Sequence, residues 1–212
     1  MDPKEAIALY SGQPLTYQLL SNILRNYKRP NDKIKALKEE GVIESVKRGL
    51  YIPGKALGAS RPENGLLANH LYGPSYLSAD TALSHYGLIP ERVYSTISMT
   101  SKASRDFRTP LGLFTYLHLP LPYYAYGLNS VLLGRDQRAI VASPEKALAD
   151  KIVTTTGLQI RSTSAGRLYL IEDLRMDESA LRKFDTRLMS LWLANAPKRD
   201  SLQMIIKAIS SL

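Results

Sequence analysis

The stretch that most restricts the fold is residues 26–53, NYKRPNDKIKALKEEGVIESVKRGLYIP. Proline fits the first turn of a helix and breaks an interior one, so a helix has to begin close to Pro30. Ile34 and Leu37 fall on one face of that helix, with Ala36 beside it, and Gly41 is a natural left-handed stop. Two short β-type runs follow, 42–46 and 50–52. The tight Lys47-Arg48-Gly49 turn joins them, with Gly49 able to take positive φ. A short basic helix followed by a hairpin with a basic tip is the sequence form of a winged helix-turn-helix, whose helix enters a DNA groove.

The residues before it read as scaffolding. Asp2 is placed to cap a first helix, with Pro3 at the first helical position and Glu5 at the capping-box spacing. Ala6, Ile7, Leu9 and Tyr10 supply its apolar contacts, and Gly12 ends it. Thr16 is placed to cap a second helix running to about Arg25. Its Leu19, Leu20, Ile23 and Leu24 recur at three- and four-residue spacing.

Charge raises this above a generic three-helix unit. The chain has 28 Lys and Arg against 19 Asp and Glu, a formal charge of +9, which favours a polyanionic partner. Eight basic residues and four acidic ones lie between Arg25 and Arg48, and the basic ones gather at the helix start and the wing tip. Lys28, Arg29, Lys47 and Arg48 read as phosphate contacts or minor-groove probes, which position a protein without specifying sequence. Asn31, Lys33 and Lys35 are candidates for base edges, because Asn and Lys pair with purine edges in the major groove. The bland alternative is a solvated, charged helix face. About half of the net positive charge lies beyond residue 58, where Lys102, Arg105 and Arg108 form a second basic group.

Residues 1–58 are therefore expected to form a winged helix-turn-helix domain and 59–75 a joint containing a short helix near residues 64–71. Residues 76–212 are expected to form a larger mixed α/β domain ending in helices, so the fold class is α+β. Ser78 should cap a helix through Tyr86. Strands are expected at 93–100, 113–119, 129–133 and 137–142, the last two around a Gly134-Arg135-Asp136 turn. Ser143-Pro144-Glu145 is a strong helix start. Further helices are expected at 167–174, 178–184, 186–195 and 200–211.

No cysteine is present, which excludes disulfides, thiolate nucleophiles and cysteine-based zinc sites. No apolar run is long enough for a membrane span, and the N-terminus does not read as a signal peptide, so a cytoplasmic protein is expected. His70, His85 and His118 lie far apart without metal-ligand spacing. Glu145, Lys146 and Asp150, with Asp106 and Asp136, evoke a nuclease cluster, but their spacing fits a helix cap and a solvated face. Tyr116, Tyr123, Tyr124 and Tyr126 fit core packing better than a stacking platform for single strands. No catalytic residue, metal or cofactor is expected.

Several blocks resemble the AbiEi-type antitoxins of type IV toxin-antitoxin systems. They are Ile34 to Ile43 followed by Lys47-Arg48-Gly49-Leu50-Tyr51, SYLSADTALSHYGLIPE at 75–91, RTPLGLFTY at 108–116 and ASPEKALADKI at 142–152. The resemblance covers most of residues 15–155. It implies an autorepressing regulator that binds inverted repeats in double-stranded operator DNA and neutralises a nucleotidyltransferase toxin. The alternatives are a nuclease targeted by its winged helix, and a stand-alone regulator without a toxin partner.

Overall fold

The computed structural model describes residues 2–91, 93–134 and 136–212; Arg135, in the expected Gly134–Asp136 turn, lies outside them. Helix α1 (Pro3–Ala8) begins where expected, the Asp2 carboxylate accepting from the Lys4 N–H at 3.2 Å. A two-residue strand, β1 (Leu15–Thr16), leads directly into α2 (Tyr17–Ile23), whose first turn is capped by the Thr16 hydroxyl accepting from the Leu19 N–H. Helix α3 (Pro30–Glu39) starts on its proline, and Gly41, at φ +69°, turns the chain out of it. Strands β2 (Ile43–Lys47) and β3 (Leu50–Pro53) form the hairpin, and β1 adds to the far side of β3, giving the order β1-β3-β2. Ile7, Leu15, Leu20, Leu24, Ile34, Leu37, Val42 and Ile43 make one small core beneath the three helices.

The remainder is built on a mixed sheet. After α4 (Asn64–Leu71) come β4 (Ser75–Leu77), α5 (Ala79–His85), β5 (Ser95–Thr100), β6 (Arg105–Thr109), β7 (Gly112–His118), β8 (Leu128–Leu133) and β9 (Gln137–Ala142). Among the described residues these strands form one six-stranded sheet, ordered β6-β7-β5-β4-β9-β8. The pairs β4/β9 and β5/β7 are parallel and the rest antiparallel. Helices α6 (Pro144–Thr154), α7 (Thr163–Leu168), α8 (Glu178–Leu181), α9 (Thr186–Trp192) and α10 (Arg199–Ser210) follow. The stretch expected as one helix over 167–174 is instead the end of α7 continued by a π turn, Tyr169–Asp173.

Alternation along β4 shows how the layers are arranged. The Ser75 hydroxyl donates to the Ala68 carbonyl of α4, while the next residue, Tyr76, points the other way and donates to Asp150 of α6. Successive strand residues face opposite sides, so α4 covers one face of the sheet and α6 the other.

The hairpin lies between the two cores. Tyr51 packs on the three-helix core, whereas Leu50 and Ile52, of opposite parity, join Val46 in the core of the six-stranded sheet. Burying three aliphatic side chains is worth about 1.5–3 kcal/mol each, so the hairpin is held against the body rather than standing free. The joint is bonded on both sides as well. The Gly12 N–H donates to the Ser60 carbonyl at 2.8 Å, and the Ser60 N–H donates to the Ser11 hydroxyl at 2.9 Å. Across from them, the Gln137 amide donates to the Arg61 carbonyl and accepts from the Glu63 N–H. The Arg61 guanidinium pairs with Glu44 of β2.

Candidate nucleic-acid interface

Helix α3 buries Ile34 and Leu37 and leaves Asn31, Asp32, Lys35, Lys38 and Glu39 exposed. With 3.6 residues per turn, Asn31, Lys35 and Lys38 share one stripe. Lys28 and Arg29 are exposed just ahead of the first turn. The ion pairs on this face are solvent-facing: Arg29 with Asp32 at 3.8 Å and Lys35 with Glu39 at 3.9 Å. Pairs so exposed are worth little and exchange readily for another anion.

Two of the expected contacts do not lie on this stripe. Lys33 stands two residues from Asn31, roughly 200° around the helix. It is half-buried, 4.0 Å from Glu40 and 5.9 Å from the centre of the Tyr27 ring. Glu40 also holds Lys4 of α1 at 2.9 Å, so Lys33 belongs to a helix-to-helix charge cluster. Lys47 turns from the end of β2 into the body, donating to the Leu71 carbonyl with its ammonium 5.3 Å from the Phe107 ring centre. Burial lowers its pKa, and the nearby positive charges of Arg105 and Lys102 add to the effect. Arg48 is the exposed basic residue of the turn.

The residue that ties this surface together is Tyr17. Thr16 caps α2 and so sets Tyr17 at its first position. From there the Tyr17 N–H donates to the Gly49 carbonyl in the β2–β3 turn at 2.9 Å, and its hydroxyl donates to Asn31 Oδ1 at 3.0 Å. One residue thus joins the β2–β3 turn to the first turn of α3. Gly49 has φ +82° and its Cα faces Tyr17: a Cβ there would sit 3.9 Å from the Tyr17 Cβ.

The second basic group divides. Arg105 stacks its guanidinium 4.9 Å from the Phe107 ring centre. Lys102 lies 5.3 Å from the Tyr72 ring and donates to the Gly73 carbonyl at 2.5 Å. Tyr72, Phe107 and Tyr116 touch one another, with ring centres 5.3–5.7 Å apart. Lys47, Lys102 and Arg105 therefore ring one aromatic cluster where the β2–β3 hairpin meets the six-stranded sheet. Arg108, of opposite parity to Arg105 on β6, lies on the other side of the strand.

The expectation of a solvated face on α6 is wrong for Lys146 and Asp150. Both are fully buried, and the ammonium lies 2.5 Å from Asp150 Oδ1 and 3.5 Å from the centre of the Tyr123 ring. Asp150 Oδ2 accepts from the Tyr76 hydroxyl at 2.9 Å and from the Ser78 hydroxyl at 2.7 Å. Desolvation lowers the Lys146 pKa, and Asp150 opposes it; burial, then the charge of Asp150, pushes Tyr76 and Tyr123 far above the usual phenol range. The cap itself is as expected: Ser143 accepts from the Lys146 N–H at 3.2 Å and donates to Glu145 at 2.8 Å. Tyr116 and Tyr123 are also fully buried, and Tyr126 accepts from Asn195 at 2.9 Å. Among the described residues, no three His, Asp or Glu side chains are grouped to hold a metal ion, and no helix is long and apolar enough to cross a membrane.

No family model matches the chain, and no curated protein matches it in sequence. Among solved structures, the chain is similar to the crystal structure of the Rv2827c protein from Mycobacterium tuberculosis. The two share 14% identity and a TM-score of 0.63, over 97% of this chain and 75% of that one. At that identity the likeness extends to the fold alone.

Proposed function

We propose that the protein is a DNA-binding transcriptional regulator whose residues 1–58 act as a winged helix-turn-helix. In this reading α3 is the reading helix and the β2–β3 hairpin the wing. The observation that carries it is the Tyr17 junction, which joins the exposed stripe Asn31, Lys35 and Lys38 to the Arg48 turn by two hydrogen bonds. A reading helix and a wing tip have to present one continuous surface to span a groove and its flanking phosphates. Lys28 and Arg29 flank the start of α3, where unpaired backbone N–H groups and the helix dipole favour a phosphate. Lys102 and Arg105 continue the positive surface onto the body. Lys33 and Lys47 act by holding α1 and the wing in place rather than by touching DNA.

The resemblance to AbiEi-type antitoxins adds the biology: repression of its own operon through inverted repeats, and neutralisation of a nucleotidyltransferase toxin through the larger domain. That part is tested by the neighbouring gene: a nucleotidyltransferase reading frame directly downstream would support it, and its absence would favour a stand-alone regulator.

The DNA reading is tested by titrating a duplex from the upstream region at several salt concentrations. Arg48→Ala and Lys28→Ala should each reduce the slope of log affinity against log salt by about one unit, as expected for one lost phosphate contact apiece. Unchanged slopes and affinities in both variants would overturn it.

A further inference from the structure

We propose that Tyr17 is a positioning residue that fixes Asn31 as a hydrogen-bond donor, so that the start of α3 selects a guanine edge over an adenine edge. This rests on the duplex-reading function proposed above and specifies its chemistry.

An asparagine amide carries one acceptor oxygen and two N–H donors. Pairing with adenine in the major groove uses both kinds: the oxygen accepts from the base N6–H while the nitrogen donates to N7. In this structure the Asn31 oxygen already accepts from the Tyr17 hydroxyl at 3.0 Å. That oxygen has a second lone pair, so serving adenine would require the second to meet the base N6–H while the phenol holds the first, which restricts the amide to an orientation that suits both donors at once. The two N–H bonds have no such constraint. Guanine presents two neighbouring acceptors in the major groove, N7 and O6, which suits a group that only donates.

The surroundings act in the same direction. Lys35 and Lys38, in the same exposed stripe, carry donors and no acceptor. Tyr17 is itself held from behind: its backbone N–H is bonded to the Gly49 carbonyl at 2.9 Å, and Thr16 caps the turn it begins. The backbone that carries the phenol is therefore anchored to the wing, so Tyr17 reaches Asn31 from a fixed Cα. At 44% exposure Tyr17 sits at the rim of the surface, where it can orient a neighbour without filling the groove.

The test is selection from a pool of duplexes with a randomised core, using the full chain, Tyr17→Phe and Asn31→Ala. Tyr17→Phe keeps the ring and the backbone bond and removes only the hydroxyl; its thermal unfolding should match the parent. The parent should enrich a guanine at one position. Asn31→Ala should lose that preference by roughly 5- to 100-fold, the span of one good base contact, and Tyr17→Phe should shift it towards adenine. Replacing the selected guanine with 7-deazaguanine should weaken the parent and leave Asn31→Ala unaffected. The inference is overturned if the parent enriches no guanine, if the guanine survives Asn31→Ala, or if Tyr17→Phe selects the same sequences. If the parent retains no duplex in preference to heparin, the DNA reading itself falls and takes this inference with it. Retention of duplex without a Tyr17-dependent preference overturns this inference alone.

Discussion

Lys146 and Asp150 offer the sharpest test of how the body is held together. Both charges are sealed from water, with Tyr76 and Ser78 satisfying the second carboxylate oxygen. Removing one member of such a pair leaves the other buried without its counter-charge, which costs about 3–5 kcal/mol. Lys146→Met preserves most of the volume and strands the carboxylate. Asp150→Asn preserves the shape and the bonds from Tyr76 and Ser78 but strands the ammonium. For a chain of this size each kcal/mol shifts the melting temperature by roughly 2–4 °C, so either single change should lower it by about 10 °C. The double variant strands no charge and keeps an oxygen for both hydroxyls. It should therefore cost less than the sum of the two, with a coupling of roughly 2 kcal/mol or more. Urea unfolding of the four proteins, with midpoints and slopes both recorded, gives the cycle directly. Two single variants within about 1 kcal/mol of the parent, or a strictly additive double, would refute the picture of a sealed pair.

Two further outcomes are expected. Burial raises the pKa values of Tyr76, Tyr116, Tyr123 and Tyr169, the last to about 12, so the native state holds neutral phenols. Their stabilisation is complete below the ordinary phenol pKa of about 10 and is lost as pH rises above it, while the lowered pKa of Lys146 acts oppositely below about 10.5. The four phenols outweigh the one amine, so the urea midpoint should fall from about pH 10 upward; a midpoint unchanged at about pH 11.5 would contradict this. Gly54→Ala would place a Cβ 2.1 Å from the Gly41 carbonyl oxygen, where the N–H of Gly54 bonds Val42 and that of Ala56 bonds Gly41. It should destabilise the protein by more than about 2 kcal/mol, measured by calorimetry, and parental stability would mean that this crossing relaxes freely.

The helices of the first 58 residues were legible because each carries its own punctuation: Asp2 and Pro3, Thr16, Pro30 and Gly41 act locally, and local signals are what a sequence displays. Strands without such signals were missed. β4 is three residues long and central, defined by its partners β5 and β9 rather than by any pattern of its own. β6, Arg105–Thr109, is rich in charge because it is an edge strand, and charge at an edge discourages further pairing. Lys146 and Asp150 were misread because opposite charges four residues apart look the same on a solvated helix and in a sealed one. The difference lay in their neighbours: Ala147, Leu148, Ala149 and Ile152 are all buried, leaving that helix little polar face. In the candidate site, helical spacing put Asn31 and Lys35 away from the face of Ile34 and Leu37, charge clustering singled out Lys28, Arg29 and Arg48, and all five side chains are exposed. Lys33 and Lys47 were not distinguishable from them, since their partners, Glu40, Leu71 and Phe107, come from elsewhere in the fold. Tyr17 carried no motif at all, because its importance comes from two bonds to residues distant in sequence.

The burial of both faces of the β2–β3 hairpin bears on how such a chain can diversify. A unit on a loose tether can be exchanged between bodies without penalty, like a tool on a common handle. Here Val46, Leu50 and Ile52 belong to the body's core although they lie within the first 58 residues. That segment transplanted or cut free at residue 58 would expose these aliphatic side chains together, and a body left behind would have a hole where they had been. If the segment reads DNA as proposed, new specificity arises more easily by changing the outward side chains of α3 and the β2–β3 turn than by replacing the whole unit.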